Sequence, residues 1–163
     1  MTGVRVAVFG LIVALLMAAV LALSLPFGQA PALTLYDIRS QAIPLRGRVT
    51  LVNFWATTCA TCVAEMPQIV ALHDALAGDG LEVVAVAMPH DAPVRVVHFS
   101  ETRRLRFHVV MDVEGKIGRA FGGVEATPTT FLIGRQGEIL LRIVGRPDFT
   151  RLRARIGRAL ERG

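Results

Sequence analysis

Cysteine is scarce in this sequence of 163 residues: there are two, both within the segment from residue 53 to residue 67. Two cysteines so close together cannot build the framework of several disulfides that holds small secreted domains together. A zinc site of the four-cysteine type needs a second Cys-x-x-Cys pair, which the sequence lacks, and the four histidines form no recognisable ligand pair. We therefore predict no metal site.

Charge is missing from a long N-terminal run, residues 6–27. At ~1.5 Å per residue, a helix of this length would cross a hydrocarbon core of about 30 Å, which predicts one N-terminal transmembrane helix. By the positive-inside rule, Arg5 would lie in the cytoplasm. A cleaved signal peptide is the alternative, because residues 28–30 offer small side chains at a cleavage site, although Pro31 disfavours cutting there. Both interpretations export the rest of the chain.

Lysine is nearly absent, with one residue against seventeen arginines, so the net charge of +5 reflects a bias toward arginine. We predict no nucleic-acid partner, because an exported domain rarely meets nucleic acid. Several arginines lie on a C-terminal helical segment whose other face is an apolar stripe of Leu152, Ile156, Ala159 and Leu160. This basic face is either solvated or in contact with anionic lipid headgroups beside the anchor.

After the anchor or signal peptide and its linker, residues 1–30, no repeat or low-complexity linker divides the chain, so residues 31–163 are predicted to form one domain. A short edge strand is predicted at 33–37. Valine-rich apolar runs at 49–55 and 81–88 indicate central strands covered on both faces. Between these two strands, apolar residues recur at helical spacing over 60–77, and Gly78 is the predicted stop of this helix. This part of the chain is therefore a predicted βαβ unit.

The remaining pattern alternates helices and strands. It predicts a helix near 94–104, a strand at 108–111 and a short helix at 116–121. Strands at 129–133 and 138–144, joined by a glycine-bearing hairpin turn, then precede the terminal helix. This order predicts an α/β fold in which a central mixed sheet has helices on both faces.

The two cysteines lie where the first central strand gives way to the helix. Cys59 in the first helical turn faces unpaired backbone amides and the positive end of the helix dipole, and both favour a thiolate. Cys62 comes one turn later, close enough for a disulfide to form and break with little backbone movement. A bridge closing so small a loop stabilises the fold little, which favours a redox switch in which Cys59 reacts and Cys62 resolves the mixed disulfide.

Two other interpretations of this pair stay open. The disulfide could be inert, formed by default in an oxidising compartment. Alternatively, the two exported thiolates could bind Cu(I), because soft thiolate ligands select that ion.

Two segments together carry a family resemblance: "VNFWATTCATCVAEMP" (residues 52–67) and "GVEATPTTFLI" (residues 123–133). They resemble the membrane-anchored thioredoxin-like thiol:disulfide oxidoreductases of bacteria, the TlpA, ResA and CcmG group, over roughly residues 33–160. The resemblance implies a thioredoxin-like fold, with Cys59 as the exposed nucleophile. It also implies that Thr127 and a cis Pro128 form the loop opposite the cysteines, where free backbone groups could pair with an extended substrate.

The resemblance assigns further roles. Glu65 would be a partly buried acid that tunes the thiol pKa values and relays protons, rather than a surface residue. Asn53 stands where ordinary thioredoxin has a buried aspartate, and Trp55 would pack under the active-site loop. Thr58 replaces the second tryptophan of many relatives, which alters the docking surface. Residues 60–61 lack the usual proline, so the redox potential cannot be carried over.

The resemblance implies a single-pass protein of the bacterial inner membrane whose catalytic domain lies in the periplasm and reduces disulfides of exported proteins. Its substrates would be haem-binding cysteines of apocytochrome c or copper-site cysteines of an oxidase, and a membrane thiol transporter would supply electrons. No cofactor is expected, because the dithiol is itself the redox centre. The alternatives are a copper-binding assembly chaperone that uses the same cysteines, a disulfide oxidase or isomerase, and a thioredoxin-like interaction module without redox activity.

Overall fold

The computed structural model of the protein describes residues 28–162. In chain order its elements are β1 (Thr34–Tyr36), β2 (Ala42–Pro44), β3 (Val49–Trp55), α1 (Ala60–Leu76), β4 (Leu81–Ala87), α2 (Pro93–Thr102), β5 (His108–Met111), α3 (Lys116–Ala120), β6 (Thr129–Ile133), β7 (Ile139–Val144) and α4 (Phe149–Glu161). The predicted transmembrane helix lies outside the described residues. Among those described, no helix has the length and apolar character needed to cross a membrane.

A five-stranded sheet in the order β5-β4-β3-β6-β7 forms the centre of the fold. Strands β3, β4 and β5 run parallel, whereas β6 and β7 pair antiparallel. Every residue of β3 is buried, as a central strand covered on both faces requires. The predicted mixed sheet is therefore confirmed, and β3 and β5 have the predicted bounds.

The two faces of this sheet are covered differently. Side chains of β3 alternate between them, and Leu51 packs in a core formed with α1, α2 and α4. Phe54 packs on the opposite face against Phe121, just after α3, and against Phe131, with the β1–β2 hairpin completing that core. Helices thus lie on both faces, as predicted, but the hairpin supplies much of the second layer.

The first two strands differ from the prediction. Strand β1 belongs to a separate two-stranded antiparallel sheet with β2, which the sequence analysis missed. An isolated bridge between Asp37 and Val110 joins this hairpin to β5. Strand β2 has only three residues and ends at Pro44, so it is too short to show an alternating pattern.

The predicted stop of the first helix was wrong. Helix α1 ends at Leu76 and passes into a 3₁₀ turn, Ala77–Asp79, that contains Gly78. The residue that leaves the helical region is Gly80, whose φ of 102° is left-handed. A glycine stops a helix by taking that conformation, so Gly80 is the true terminator.

Candidate redox site

Cys59 lies at the junction of β3 and α1, on the cap position of the helix. Its backbone is extended, and its sulfur accepts a hydrogen bond of 3.2 Å from the backbone N–H of Cys62. The Cys59 N–H donates to the carbonyl oxygen of Ala56 at 3.1 Å, which closes a tight turn before the helix. A sulfur held there faces the positive end of the helix, where a thiolate is stabilised.

The two cysteines form a disulfide, with Cα atoms 5.2 Å apart. Cys59 is half-buried, whereas Cys62 has no exposed surface. A sulfur of another protein can therefore approach Cys59 but not Cys62. This asymmetry is what separates a nucleophilic from a resolving thiol in disulfide exchange.

The loop before β6 lies directly against the disulfide, because β6 pairs with β3. The carbonyl oxygen of Thr127 is 3.6 Å from the Cys59 sulfur, although the two residues are 68 positions apart in the chain. The Thr127–Pro128 peptide bond is cis. The structure thus brings together the two segments that carry the family resemblance.

The two remaining residues predicted to bind substrate occupy different environments. Trp55, the last residue of β3, is fully buried, and its ring centroid lies 5.0 Å from that of Phe99. It belongs to the same core cluster as Cys62 and so lies in the interior rather than on the surface. Thr58 is exposed and directly precedes Cys59.

Glu65 is a fully buried carboxyl group on α1, one turn beyond Cys62. Its Oε1 accepts a hydrogen bond of 3.1 Å from Asn53 Nδ2, which also donates to Thr130 Oγ1 at 3.1 Å. Within the described residues, Glu65 Oε2 and Asn53 Oδ1 have no hydrogen-bond partner. The group is more deeply buried than the resemblance implied.

Burial raises the pKa of Glu65 to about 6, while the hydrogen bond from Asn53 and the charge of Arg146 act in the opposite direction. Removal of a carboxylate from water disfavours its charged form, which explains the sign. A carboxyl group with this pKa can gain and lose a proton near neutral pH, as proton transfer to or from a thiol requires.

Asp91 is a second buried acid at this end of the sheet, and the sequence analysis missed it. Its carboxylate accepts hydrogen bonds from the backbone N–H and the hydroxyl group of Thr57, two residues before Cys59. The sequence offered one signal for a role of Asp91 near the cysteines. Asp91 follows β4, which runs parallel to β3, and the carboxyl ends of parallel strands meet at one edge of a sheet.

No three histidine, cysteine, aspartate or glutamate side chains of residues 28–162 are grouped so that they could hold a metal ion. The four histidines of the chain belong to different parts of the fold: His73 to α1, His90 to the loop after β4, His98 to α2 and His108 to β5.

The chain is similar to known proteins in sequence and in structure. The family model described as Redoxin matches residues 28–156. Thiol-disulfide oxidoreductase ResA of Bacillus thuringiensis subsp. konkukian is 31% identical over 120 residues, which cover 72% of this chain and 68% of the relative. A solution structure of a candidate thioredoxin from Neisseria meningitidis has a TM-score of 0.77 at 38% identity, covering 82% of this chain and 91% of that one.

StoA from Bacillus subtilis, a solved structure, has a TM-score of 0.66 at 26% identity, covering 77% of this chain and 98% of that one. These similarities confirm the thioredoxin-like fold and the resemblance drawn from the two motifs. The chain belongs to the redoxin family and is a thiol-disulfide oxidoreductase of the ResA and StoA type.

Proposed function

We propose that this protein reduces disulfides of exported proteins through Cys59 and Cys62, at the outer face of a bacterial inner membrane. The observation that carries the proposal is the asymmetry of the cysteine pair at the start of α1. The reachable sulfur, Cys59, accepts a backbone hydrogen bond at the positive end of the helix, and the unreachable one, Cys62, lies one turn behind it.

The reaction proceeds by two exchanges. In the first, the Cys59 thiolate attacks one sulfur of the substrate disulfide, which breaks and leaves a mixed disulfide and a substrate thiolate. In the second, Cys62 loses its proton and attacks the Cys59 sulfur, releasing the second substrate thiolate. Two electrons pass to the substrate, and an external dithiol must then reduce the Cys59–Cys62 disulfide.

Glu65 is the proposed proton carrier for the second exchange. Cys62 is fully buried, so water reaches its thiol poorly, whereas Glu65 lies one turn away on the same helix. A carboxylate with a raised pKa can accept the Cys62 proton as the sulfur becomes nucleophilic. The unpaired Oε2 atom is available for this step.

Thr127, Pro128 and Thr58 are the proposed contacts of the substrate chain, with Trp55 supporting the loop from below. Thr127 supports this assignment because its carbonyl oxygen lies against the reactive sulfur, so an extended segment beside it would place its own sulfur within reach of Cys59. The exposed Thr58 would contact the same substrate segment from the other side.

The location and the electron source are also part of the proposal. We propose that residues 1–30 contain an uncleaved membrane anchor and that residues 31–163 form the periplasmic domain. Electrons would come from a thiol transporter in the same membrane, and the substrates would be the cysteine pairs of apocytochrome c or of an oxidase copper site. The uncharged run at residues 6–27 supports the anchor.

Trapping of mixed disulfides tests the assignment of the two thiols. In a Cys62→Ser variant, Cys59 can attack but the mixed disulfide cannot be resolved, so disulfide-linked substrates should accumulate and be released by a reductant. The matched Cys59→Ser variant should trap none, because Cys62 is buried. Equal trapping by both variants would contradict the proposed roles.

The in-cell redox state of the pair tests the direction of electron flow. Acid quenching followed by alkylation should find mostly free thiols, because a reductase needs a dedicated electron supply in an oxidising compartment. A pair found mostly as disulfide would instead favour an oxidase or isomerase. Tight Cu(I) binding by a chain that exchanges no disulfides would favour the copper chaperone.

A further inference from the structure

The loop after β4 is fastened to the segment that leads into the disulfide. The backbone N–H of Met88 donates to the carbonyl oxygen of Trp55 at 3.0 Å, and the N–H of Asp91 donates to the carbonyl oxygen of Met88, also at 3.0 Å. These bonds turn the loop back toward β3. The Asp91 side chain, which is 0% exposed, then points into that segment.

Asp91 accepts both hydrogen bonds that Thr57 can donate. Its Oδ1 lies 2.6 Å from Thr57 Oγ1, and its Oδ2 accepts from the Thr57 backbone N–H. The Arg95 Nε atom lies 3.5 Å from Oδ1 and supplies a partly exposed positive charge to the carboxylate. A buried carboxylate with several donors is a rigid anchor, because leaving it unpaired would be costly.

The anchored residue is a central position of the turn that presents the reactive sulfur. That turn is closed by the bond from the Cys59 N–H to the carbonyl oxygen of Ala56, so Thr57 and Thr58 form its middle. Thr58 is exposed, whereas both the backbone N–H and the hydroxyl group of Thr57 are bonded to Asp91. Asp91 thus sets the conformation through Thr57.

We propose that Asp91 is a positioning residue for the dithiol: through Thr57 it fixes the turn that holds Cys59 against Cys62 and so favours closure of the disulfide. The proposal rests on disulfide exchange at these two cysteines. A turn held in the closed geometry raises the effective concentration of one thiol at the other, which stabilises the disulfide relative to the dithiol. Loss of the hydrogen bonds from Thr57 to Asp91 makes the protein more oxidising.

A role in stability alone predicts something different. If Asp91 only stabilised the fold, its loss would weaken the oxidised and reduced proteins equally, and the equilibrium between them would not change. The equilibrium of the pair with glutathione therefore separates the two roles. In that reaction the dithiol and oxidised glutathione give the protein disulfide and two molecules of reduced glutathione, so two electrons and two protons are transferred.

The test uses the full chain in detergent micelles with two substitutions of Thr57. Thr57→Val removes the hydroxyl donor and keeps both the shape and the N–H bond, whereas Thr57→Ser retains the donor. We expect Thr57→Val to lower the equilibrium constant for disulfide formation by about threefold and Thr57→Ser to stay within about twofold of wild type. An unchanged constant in Thr57→Val would overturn the proposal.

Asp91→Asn tests the role of the Asp91 carboxylate itself. An asparagine keeps one acceptor but turns an NH₂ group toward a donor of Thr57, so we expect a shift of about tenfold, equal to about 30 mV. Asp112→Asn is the matched control: Asp112 is similarly buried but accepts hydrogen bonds from the backbone of Ile117 and Gly118 in α3. It should lower the melting temperature without changing the glutathione equilibrium.

The outcomes distinguish this proposal from the proposed function. If Asp91→Asn and Asp112→Asn both lower the melting temperature and neither changes the equilibrium, Asp91 is structural and the positioning role is wrong, while the reductase proposal stands. If the wild-type cysteines do not exchange with glutathione at all, both proposals fail. If Asp91→Asn does not fold, the Thr57 pair alone decides the question.

Discussion

Glu65 places an ionisable group inside the hydrophobic core, which lowers the stability of the fold. The carboxyl group is fully buried, and the amide of Asn53 satisfies one of its oxygens, while the other has no hydrogen-bond partner among residues 28–162. A buried network that is only partly satisfied destabilises a fold, so it is retained where the chemistry needs it. This cost in stability is what the proton-carrier role proposed for Glu65 would account for.

The substitution Glu65→Gln should stabilise the oxidised protein at alkaline pH. The pKa of Glu65 is higher in the folded state, about 6 against 4.5. Its contribution to stability is therefore complete below pH 4.5 and is lost as the pH rises through 6. At pH 8 the variant, which cannot ionise, should exceed wild type by about 1–2 kcal/mol in free energy of unfolding.

Urea unfolding of both proteins between about pH 4 and 8 measures this difference. The two stabilities should converge at the acidic end, because wild-type Glu65 is then protonated like the glutamine. A gain of the same size at every pH would show that packing, and not ionisation, causes it.

The roles of single residues were predictable to different degrees. Cys59 could be placed from local pattern alone, because a cap position depends on its neighbours in the chain. The partners of Asn53 could not: one of them, Thr130, lies 77 positions away and is brought into contact only by the pairing of β6 with β3. Asp91 was missed for the same reason, since its target lies 34 positions earlier.

The N-terminal caps of α1 and α4 are made by different side chains, one suited to chemistry and the other to stability. Helix α1 is capped by the sulfur of Cys59, whereas α4 is capped by Asp148, whose Oδ1 accepts from the N–H of Arg151 at 3.1 Å. A carboxylate also interacts favourably with the positive end of the helix. The weaker sulfur acceptor at α1 is consistent with a residue kept for reactivity.

Replacement of the α4 cap should affect stability alone. We expect Asp148→Ala to lower the free energy of unfolding by about 1 kcal/mol, because the helix loses its side-chain cap. Asp148→Asn, which can still cap, should lose only a few tenths of a kcal/mol. Thermal unfolding measures both, and a change in the redox equilibrium of the cysteines in either variant would contradict the assignment.

The β1–β2 hairpin is attached to the central sheet through a hydrogen bond between the side chains of Asp37 and His108. The Asp37 carboxylate lies 2.8 Å from the Nδ1 atom of His108 on β5 and accepts hydrogen bonds from the N–H groups of Arg39 and Gln41. Burial by itself raises the pKa of Asp37, but these hydrogen bonds and the charge of His108 outweigh it and hold the pKa below the ordinary value.

Asp37→Asn should therefore destabilise the protein at neutral pH. Because the folded-state pKa is depressed, the stabilisation is present above the ordinary aspartate pKa, 3.8, and is lost as the pH falls through the lower folded-state pKa. We expect a loss of about 1 kcal/mol at pH 7 that shrinks below pH 3.8. Unfolding curves across that range provide the measurement, and a loss that persists at low pH would show that ionisation of Asp37 is not its cause.

Elements with long apolar runs were the predictable part of the architecture. Strand β3 was bounded correctly because seven consecutive buried residues leave a clear signal. Strand β2 has three residues, of which only Ile43 is buried, so its pairing with β1 depends on contacts that no local pattern encodes. The choice between Gly78 and Gly80 as the stop was equally ambiguous, because two glycines lie two positions apart.

The molecule has two functionally different ends. Cys59 lies beyond the last residue of β3. The first described residues lie toward the other end of that strand, beside the turn between β6 and β7. There the N–H of Ala30 donates to the carbonyl oxygen of Gly137 at 2.7 Å, and the N–H of Ile139 donates to the carbonyl oxygen of Gly28 at 2.9 Å. Seven strand residues separate the ends, about 23 Å. If residues 6–27 anchor the protein, the disulfide therefore lies at the end of the sheet opposite the attachment point.

This arrangement predicts that residues 1–27 are dispensable for the chemistry, although the residues just after them are needed for the fold. A chain that starts at residue 28 keeps every contact described above, so its exchange rate with a small disulfide should match that of the full chain within about twofold. A chain that starts at residue 32 loses the backbone bonds of Gly28, Ala30 and Pro31 and the burial of Ala30, which is 5% exposed.

The shorter chain should lose about 1–3 kcal/mol in free energy of unfolding, because the three backbone hydrogen bonds of Gly28, Ala30 and Pro31 and a buried methyl group are removed together. Its exchange rate under native conditions should still match that of the longer chain, since the lost contacts lie at the end opposite the disulfide. Urea unfolding and stopped-flow exchange of the two purified chains provide both numbers. Equal stability would show that residues 28–31 belong to the linker, and a slower exchange would show that the two ends of the sheet are coupled.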